Sequence, residues 1–248
     1  MSSIAPRVIL VTGANRGIGL AIIQALASHP QTTKDMKKGE EAIQELRSKG
    51  ITSVVQPVTI DVTSDMSIRN AVNVVQEQHG QLDVLVNNAG YAVIPSASDF
   101  SDWRGLYAAV YDINVTSVAL TMAHFLPLLR QSPHGGRVIN VSSARGSTTL
   151  SSSGLLPSTV AIPYSVSKAA LNLLTVEMSR DAANKDVEFQ LVSPGHCKTA
   201  LNNYRGVRDP LEGANVVVGL VTAEKAQYKN AGFSETKGAS MDLVEIPW

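Results

Sequence analysis

A glycine-rich stretch near the start of the chain restricts the fold more than any other feature. The sequence Thr12-Gly-Ala-Asn-Arg-Gly-Ile-Gly19 separates an apolar β-branched run, Arg7 to Val11, from a segment with helical apolar spacing, Ile18 to Ala27. Glycines at a strand-to-helix turn permit tight turning, and they let a pyrophosphate approach the backbone at the helix N-terminus. The stretch therefore predicts a nucleotide-binding turn, whereas a glycine-rich sequence outside this setting is more often only a turn.

The rest of the chain continues the alternation of strand and helix. Helical spacing marks residues 40–49, 67–79, 107–129 and 164–184, and apolar runs typical of strands mark 54–60, 83–86, 137–141 and 187–192. This alternation predicts an α/β fold, with a parallel sheet, right-handed crossovers and helices on both faces. Residues 142–163 are rich in Ser, Thr and Gly and have no period, so they are predicted to form a surface loop.

One expected strand is missing from this pattern. After the first helix, SHPQTTKDMKKGEE (28–41) leads into the next helix without a run of four apolar residues, although a doubly wound fold places its second strand there. The second strand is therefore predicted to be missing or irregular. The sheet would leave a gap, recruit residues 31–34, or borrow a strand from another subunit. A gap would leave unpaired backbone groups, each costing about 1–3 kcal/mol if buried.

Size and charge exclude several classes of partner. A chain of 248 residues that is 44% hydrophobic can form a full core as one domain, so a single domain over 1–248 is expected. The 21 basic and 21 acidic residues leave no excess charge to attract nucleic acid or anionic lipid. The apolar run at 8–11 is too short for a signal segment or a membrane span. A cytoplasmic protein without nucleic-acid or membrane partners is expected.

Cysteine and histidine residues do not indicate a metal site. The single cysteine, Cys197, permits no internal disulfide. His124, His134 and His196 have no metal-ligand spacing with Cys197 or with one another, so no metal is predicted. Cys197 is interpreted as an ordinary thiol rather than a nucleophile.

Five motifs follow one another along the chain. They are TGANRGIG (12–19), NNAG (87–90), NVSS (140–143), YSVSK (164–168) and SPG (193–195). Together they resemble the classical short-chain dehydrogenase/reductase family, and DPLEGA (209–214) with the final VEIPW is similar to its carbonyl-reductase-like branch. The resemblance covers nearly the whole chain and implies a Rossmann-type doubly wound sheet.

The resemblance implies a catalytic set of Asn114, Ser143, Tyr164 and Lys168. Tyr164 and Lys168 are four residues apart and share a helix face, where an ammonium group would lower the pKa of a phenol. Tyr164 is then a candidate general acid for a carbonyl oxygen that Ser143 hydrogen-bonds. The alternative for Tyr164 and Lys168 is a solvated helical pair. By resemblance, Asn114 completes a proton relay through water to Lys168; the alternative is a helix-interior amide satisfied by its neighbours.

The resemblance also implies a cofactor site for NADP rather than NAD. Arg16 resembles the basic residue that favours the 2′-phosphate of NADP, although it could be an exposed loop charge. Asp61, with Val62, would face the adenine ring; its alternative role is a cap or turn residue. Thr199 would touch the nicotinamide end. The full predicted set is Gly13, Asn15, Arg16, Gly17, Ile18, Gly19, Asp61, Val62, Asn87, Ala89, Gly90, Tyr164, Lys168, Pro194, Gly195 and Thr199.

Two departures from the family leave questions open. The missing strand would carry the residue that distinguishes NAD from NADP, and Lys34, Lys37 and Lys38 either face a phosphate there or form a solvated charge run. The stretch from Ser143 to Tyr164 is longer than in the commonest family members. It would shape the substrate pocket or impede the four-helix contact of family tetramers, so monomer, homodimer and homotetramer all stay open.

Three functions are compatible with these residues. The preferred one is NADPH-dependent reduction of a ketone or aldehyde in a small lipophilic molecule, because every catalytic position is present. The second is a biosynthetic isomerase or cyclase that no longer needs hydride, which the missing strand favours. The third is a non-catalytic relative with impaired cofactor binding. The substrate is not readable, because its pocket would be built from the loops around 91–100, 147–163 and 196–212.

Overall fold

The structure is a computed structural model that describes residues 7–28, 32–35, 44, 46–48, 55–96, 101–238 and 240–248. The strands in this part of the chain are β1 (Arg7–Val11), β2 (Thr32–Asp35), β3 (Val55–Gln56), β4 (Val84–Asn87), β5 (Arg137–Val141), β6 (Glu188–Val192), β7 (Gly232–Thr236) and β8 (Leu243–Glu245). They form one sheet in the order β3-β2-β1-β4-β5-β6-β7-β8. Neighbours from β3 to β7 are parallel, and β8 runs antiparallel to β7. The predicted parallel α/β sheet is confirmed.

Helices connect these strands. The α-helices with described ends are α1 (Gly17–Ala27), α2 (Asp65–His79), α3 (Trp103–Tyr111), α4 (Ser117–Leu129), α5 (Thr148–Ser152), α6 (Ile162–Arg180) and α7 (Pro210–Thr222). A π-helical turn, Asp112–Thr116, joins α3 to α4. Residues 44 and 46–48 are also helical, and the rest of the helix predicted over 40–49 lies outside the described residues.

Two hydrophobic cores lie on opposite faces of the sheet. Successive strand residues point to opposite faces, so Ile9 and Val11 pack with α1 and α7, whereas Leu10 packs with α2 and α4. Because the central strands are covered on both sides, β1 and β4 are apolar along most of their length rather than alternating. This arrangement leaves the ends of the strands as the accessible part of the sheet.

The second strand, predicted to be missing or irregular, is present as a short polar strand, so it is not missing. Its residues pair with β1 from Arg7↔Thr32 to Leu10↔Asp35, and with β3 at Lys34↔Val55 and Asp35↔Gln56. Of the three alternatives, the sheet therefore recruits the segment next to α1. Strand pairing uses backbone groups, so a polar segment can form a strand without an apolar run.

The third strand is shorter than the predicted 54–60. In the described residues it comprises Val55–Gln56, and residues 57–60 continue without strand pairing. Pro57 gives the reason, because proline has no backbone N–H to donate to the ladder. The adenosine side of the predicted cofactor site is therefore bordered by two short strands.

One helical stretch has the length and composition of a membrane span. In the described part of the chain, residues 103–129, which comprise α3, the π-helical turn and α4, meet this criterion. Half of the most apolar window is buried inside the protein, and Met122 and Phe125 of α4 are completely buried in the core. Core helices meet the same criterion, so length and composition do not indicate a span here.

Candidate active site

The predicted site residues lie near one edge of the sheet. The carboxyl ends of parallel strands share one edge, and open α/β sheets bind ligands outside it. The candidate segments that follow these ends are 13–19 after β1, 61–62 after β3, 87–90 at the end of β4, Ser143 after β5 and 194–199 after β6. The fold therefore brings together motifs that are distant in the sequence.

The turn between β1 and α1 requires glycine at two of its positions. Gly13 has a φ of 64°, and a Cβ atom there would lie 2.8 Å from the Cα of Ala89. A Cβ atom on Gly19 would collide with the carbonyl oxygen of Gly13. These glycines permit close packing of the turn against the NNAG segment.

Thr12 and Asn88 fasten these two segments to each other. Thr12 Oγ1 accepts hydrogen bonds from the backbone N–H groups of Asn88 and Ala89, both at 3.1 Å. Asn88 Nδ2 donates to the carbonyl oxygens of Thr12 at 2.9 Å and Gly13 at 3.1 Å. Both residues lie in the motifs as polar residues at strand ends, but no role was predicted for either.

The N-terminus of α1 provides donors that suit an anion. Arg16 occupies the N-cap without a side-chain capping bond, and the first turn contains no acidic residue. First-turn N–H groups have no intrahelical partner, and the helix dipole is positive at this end. The residues present therefore fit the pyrophosphate of a dinucleotide. Arg16 is exposed, which agrees both with a phosphate contact and with a solvated loop charge.

Ser143, Tyr164 and Lys168 come together between β5 and α6. Ser143 lies close enough to Tyr164 to lower the pKa of the phenol, and its Oγ accepts from the N–H of Arg145 at 3.2 Å. Lys168 Nζ lies 5.6 Å from the centroid of the Tyr164 ring and donates to the Val141 carbonyl oxygen at 2.7 Å. The three residues predicted as the catalytic centre therefore form one cluster.

Burial governs the acid–base properties of this cluster. Lys168 is 4% exposed, and burial lowers the pKa of its ammonium group to about 8. Burial also raises the pKa of Tyr164, and the hydrogen bond with Ser143 acts in the opposite direction. The expected lowering by Lys168 is not found; its ammonium group lies over the tyrosine ring and donates to the Val141 carbonyl oxygen. The tyrosine therefore stays protonated near neutral pH.

Asn114 lies in the π-helical turn and is completely buried. Its Nδ2 donates to the Tyr91 carbonyl at 2.8 Å and to Ser167 Oγ at 2.9 Å, and its Oδ1 accepts from the Tyr91 N–H at 2.8 Å. These contacts match the alternative of an amide satisfied by neighbours. Yet a Cβ atom on Gly90 would lie 3.5 Å from Asn114 Oδ1 and 3.9 Å from Lys168 Nζ. Asn114 and Lys168 therefore border the same small space.

Asn87 contacts a neighbouring strand, and Asp61 contacts a residue of its own turn. Asn87 Nδ2 donates to Asn140 Oδ1 at 2.8 Å inside the sheet. The exposed Asp61 carboxylate accepts from the N–H of Thr63 at 3.0 Å and from its hydroxyl at 2.7 Å, and these bonds lower the pKa of Asp61. Its geometry is that of a turn residue, whereas Val62 lines a small depression with Asn87 and Ala89.

The loop after β6 lies against the glycine-rich turn. A Cβ atom on Gly17 would contact Thr199 Cγ2 at 3.4 Å. Gly195 has a φ of 80°, and the Pro194 carbonyl accepts a hydrogen bond from Arg208 Nη1 at 3.2 Å. Arg208 therefore holds the loop that carries Thr199. The sequence did not indicate this residue.

Possible metal ligands and the thiol of Cys197 were the remaining groups to consider at this edge of the sheet. Among the described residues, no group of three or more His, Cys, Asp and Glu side chains could hold a metal ion. Cys197 is buried, and burial raises the pKa of its thiol to about 11. Because the thiolate is the nucleophile, Cys197 is poorly suited to attack.

Comparison with known proteins agrees with this geometry. The short chain dehydrogenase family model matches residues 7–208. A short-chain dehydrogenase/reductase of Aspergillus fumigatus is 36% identical, covering 98% of this chain and 97% of that protein.

Two solved structures share the fold. The NADPH-bound carbonyl reductase from chicken fatty liver aligns with a TM-score of 0.79 and 27% identity over 99% of this chain and 100% of that one. The Pseudomonas aeruginosa RhlG/NADP complex aligns with a TM-score of 0.78 and 25% identity over 95% and 96% of the two chains. By its motifs, its sheet and these matches, the chain belongs to the short-chain dehydrogenase family.

Proposed function

We propose that the protein reduces the carbonyl group of a small lipophilic ketone or aldehyde with NADPH. The observation that carries the proposal is the cluster in which Ser143 lies beside Tyr164 while the buried Lys168 lies over the tyrosine ring. Such a cluster brings a proton donor and a second hydroxyl donor near each other, and carbonyl reduction uses both.

Each residue of the cluster has a distinct role in this proposal. Tyr164, protonated near neutral pH, gives its proton to the carbonyl oxygen of the substrate. Ser143 hydrogen-bonds the same oxygen and stabilises its developing charge. Lys168, with a pKa of about 8, exchanges protons readily near neutral pH and lies one helical turn from the tyrosine. Asn114 borders the space beside Lys168 and would hold water there for proton supply.

The glycine-rich turn and the loops beside it would hold the cofactor. NADPH, when bound, supplies the hydride. The free donors at the start of α1 would contact its pyrophosphate, and Thr199 lies against Gly17. Val62, Ala89 and Gly90 would border its adenosine and nicotinamide parts. The NADPH-bound and NADP-bound similar structures support NADPH over NADH, and the exposed Arg16 would be available to the 2′-phosphate.

Calorimetric titration with NADPH and, separately, NADH tests the cofactor assignment without requiring a substrate. Micromolar binding of NADPH with weaker NADH binding is the expected result. A panel of lipophilic ketones and aldehydes then tests turnover through the loss of NADPH absorbance. NADPH binding with no turnover of any carbonyl would count against reduction as the function.

A hydride-free isomerase or cyclase is the second candidate. It is favoured by the two short strands on the adenosine side, β2 with four residues and β3 with two. Such an enzyme would keep Tyr164 and Ser143 for acid–base work. Failure of both NADPH and NADH to bind would favour this candidate, or a relative with impaired cofactor binding.

We further propose that residues 1–248 form one domain acting on a small molecule. The support is that one sheet includes strands from Arg7 to Glu245 and that its two cores cover opposite faces. A cytoplasmic location stays a prediction, and monomer, homodimer and homotetramer stay open.

A further inference from the structure

The end of the chain contacts the segment that joins Ser143 to Tyr164. Ser147 Oγ donates a hydrogen bond to the Pro247 carbonyl oxygen at 2.6 Å. Two residues further along, the backbone N–H of Thr149 donates to the Trp248 carbonyl oxygen at 2.7 Å. Two carbonyl groups near the C-terminus are therefore bound by the start of α5.

These contacts satisfy donors that α5 cannot satisfy itself. Ser147 is the N-cap of α5 and 1% exposed, and its Oγ also accepts from the N–H of Leu150 at 3.0 Å. The Thr149 N–H lies in the first turn of the helix, where donors have no intrahelical partner. The N-terminus of α5 is thus capped by its own serine and by the chain end.

The chain end is itself fastened to the central sheet. The Ile246 N–H donates to the Phe233 carbonyl oxygen of β7 at 2.7 Å, and Ile246 is 2% exposed. The rings of Phe233 and Trp248 pack with their centroids 5.7 Å apart. Phe233 is completely buried, so the segment Ile246–Trp248, called the tail below, connects α5 to the buried core.

The opposite side of the segment is packed against the candidate catalytic helix. The Gly146 N–H donates to the Ser143 carbonyl oxygen at 2.8 Å, and Asn172 Nδ2 of α6 donates to the Gly146 carbonyl at 3.1 Å. A Cβ atom on Gly146 would lie 2.7 Å from the carbonyl carbon of Lys168. A shift of Ser147 would therefore be transmitted within one turn to Ser143.

We propose that Ile246–Trp248 is a positioning element that holds Ser143 in place through Ser147 and α5. The segment 144–163 joins two residues of the cluster, Ser143 and Tyr164. Its start is held by the tail through Ser147 and Thr149 and by α6 through Asn172. Pro247 and Trp248 are positioning residues, since they act through Ser147 and Thr149 rather than on the substrate. The inference rests on the proposed reductase function for its kinetic consequence but not for its structural one.

The test removes the tail contacts and follows the segment directly. Two separate variants are compared with the wild type: one lacks Pro247 and Trp248, and the other is Ser147→Ala. Hydrogen exchange of residues 144–152 is measured in each. Ser153→Ala is the matched control, because Ser153 is the exposed C-cap of α5 and its hydroxyl donates to the Leu150 carbonyl oxygen at 3.3 Å. Faster exchange in the first two variants, with the control unchanged, is expected.

Kinetics on the same variants separate positioning from general destabilisation. We expect kcat to fall about tenfold in the deletion variant, less than the 10²–10³ that removal of a whole oxyanion donor costs. The NADPH dissociation constant should stay within about twofold, since the hydrogen bonds of the tail go to Ser147, Thr149 and Phe233. Equal losses in NADPH binding and kcat would indicate a structural role and overturn the proposal.

The two proposals fail in distinguishable ways. A wild type that binds NADPH but reduces no carbonyl contradicts the proposed function, and hydrogen exchange then decides the inference alone. Unchanged exchange in folded deletion and Ser147→Ala variants overturns the inference whatever the activity. If the deletion variant does not fold, Ser147→Ala and Trp248→Ala replace it in both measurements.

Discussion

Lys168 Nζ lies 5.6 Å from the centroid of the Tyr164 ring and is bound to the Val141 carbonyl oxygen rather than to the tyrosine hydroxyl. The lysine is thus held by the end of β5, in a site that lowers its own pKa. The tyrosine keeps its proton because burial raises its pKa. This relationship suits a reductase, in which the tyrosine must donate a proton, and it motivates the first two predictions.

Replacement of Tyr164 by phenylalanine should abolish turnover with little loss of stability. Loss of a positioned general acid costs about 10²–10⁴-fold in rate, whereas one hydrogen bond contributes about 0.5–1.5 kcal/mol to folding. Steady-state kinetics and urea unfolding measure the two effects. Tyr107→Phe, on α3, is the control and should retain full activity. Unchanged turnover in Tyr164→Phe would refute the mechanism.

The stability of the protein should rise with pH between about 8 and 10.5 because of Lys168. Its pKa is about 8 in the folded protein against an ordinary 10.5, so in this window the unfolded chain binds the extra proton. The contribution is at most about 3 kcal/mol. Urea unfolding of the wild type and of Lys168→Met across this pH range measures the contribution. The free energy of unfolding of the wild type should rise relative to that of the variant as pH rises. A difference in free energy of unfolding that stays constant with pH would show that the pKa of Lys168 is not lowered in the folded protein.

Replacement of Arg16 by alanine should weaken NADPH binding more than NADH binding. A charge-assisted contact with the 2′-phosphate contributes about 1.5–3 kcal/mol, which is about 10- to 100-fold in the dissociation constant. Calorimetric titration with each cofactor measures the difference. Arg69→Ala, an exposed arginine on α2, should bind both cofactors as the wild type does. Equal weakening for NADPH and NADH would identify Arg16 as a general binding residue.

Replacement of Gly13 by alanine should destabilise the protein more than replacement of Gly80. Both glycines have positive φ angles, 64° and 70°, so both substitutions strain the backbone by about 1–3 kcal/mol. A Cβ atom at Gly13 also lies 2.8 Å from Ala89 Cα, whereas nothing lies within 4 Å at Gly80. Urea unfolding should show a larger decrease in the free energy of unfolding for Gly13→Ala than for Gly80→Ala. The Gly13→Ala variant should also lose NADPH binding. Equal losses would contradict the packing argument for the turn.

The sequence predicted best the parts of the fold that depend on local pattern. The runs of β1 and β5 coincide with their strands, and the helices predicted over 67–79 and 164–184 are found as Asp65–His79 and Ile162–Arg180. Periodicity succeeds there because each element is buried against a continuous core. It failed at β2, whose four residues carry no apolar run and are paired through backbone on both sides.

The sequence by itself determined the family, the α/β order of elements and the identity of Ser143, Tyr164 and Lys168 as the candidate centre. These follow from residue types at short spacings, which a linear chain displays. Only the tertiary structure decided that Lys168 binds Val141, that Asn88 fastens the NNAG segment to Thr12, and that Trp248 caps α5. Those contacts join residues far apart in sequence, and burial changes the pKa of a group only after the chain has folded around it.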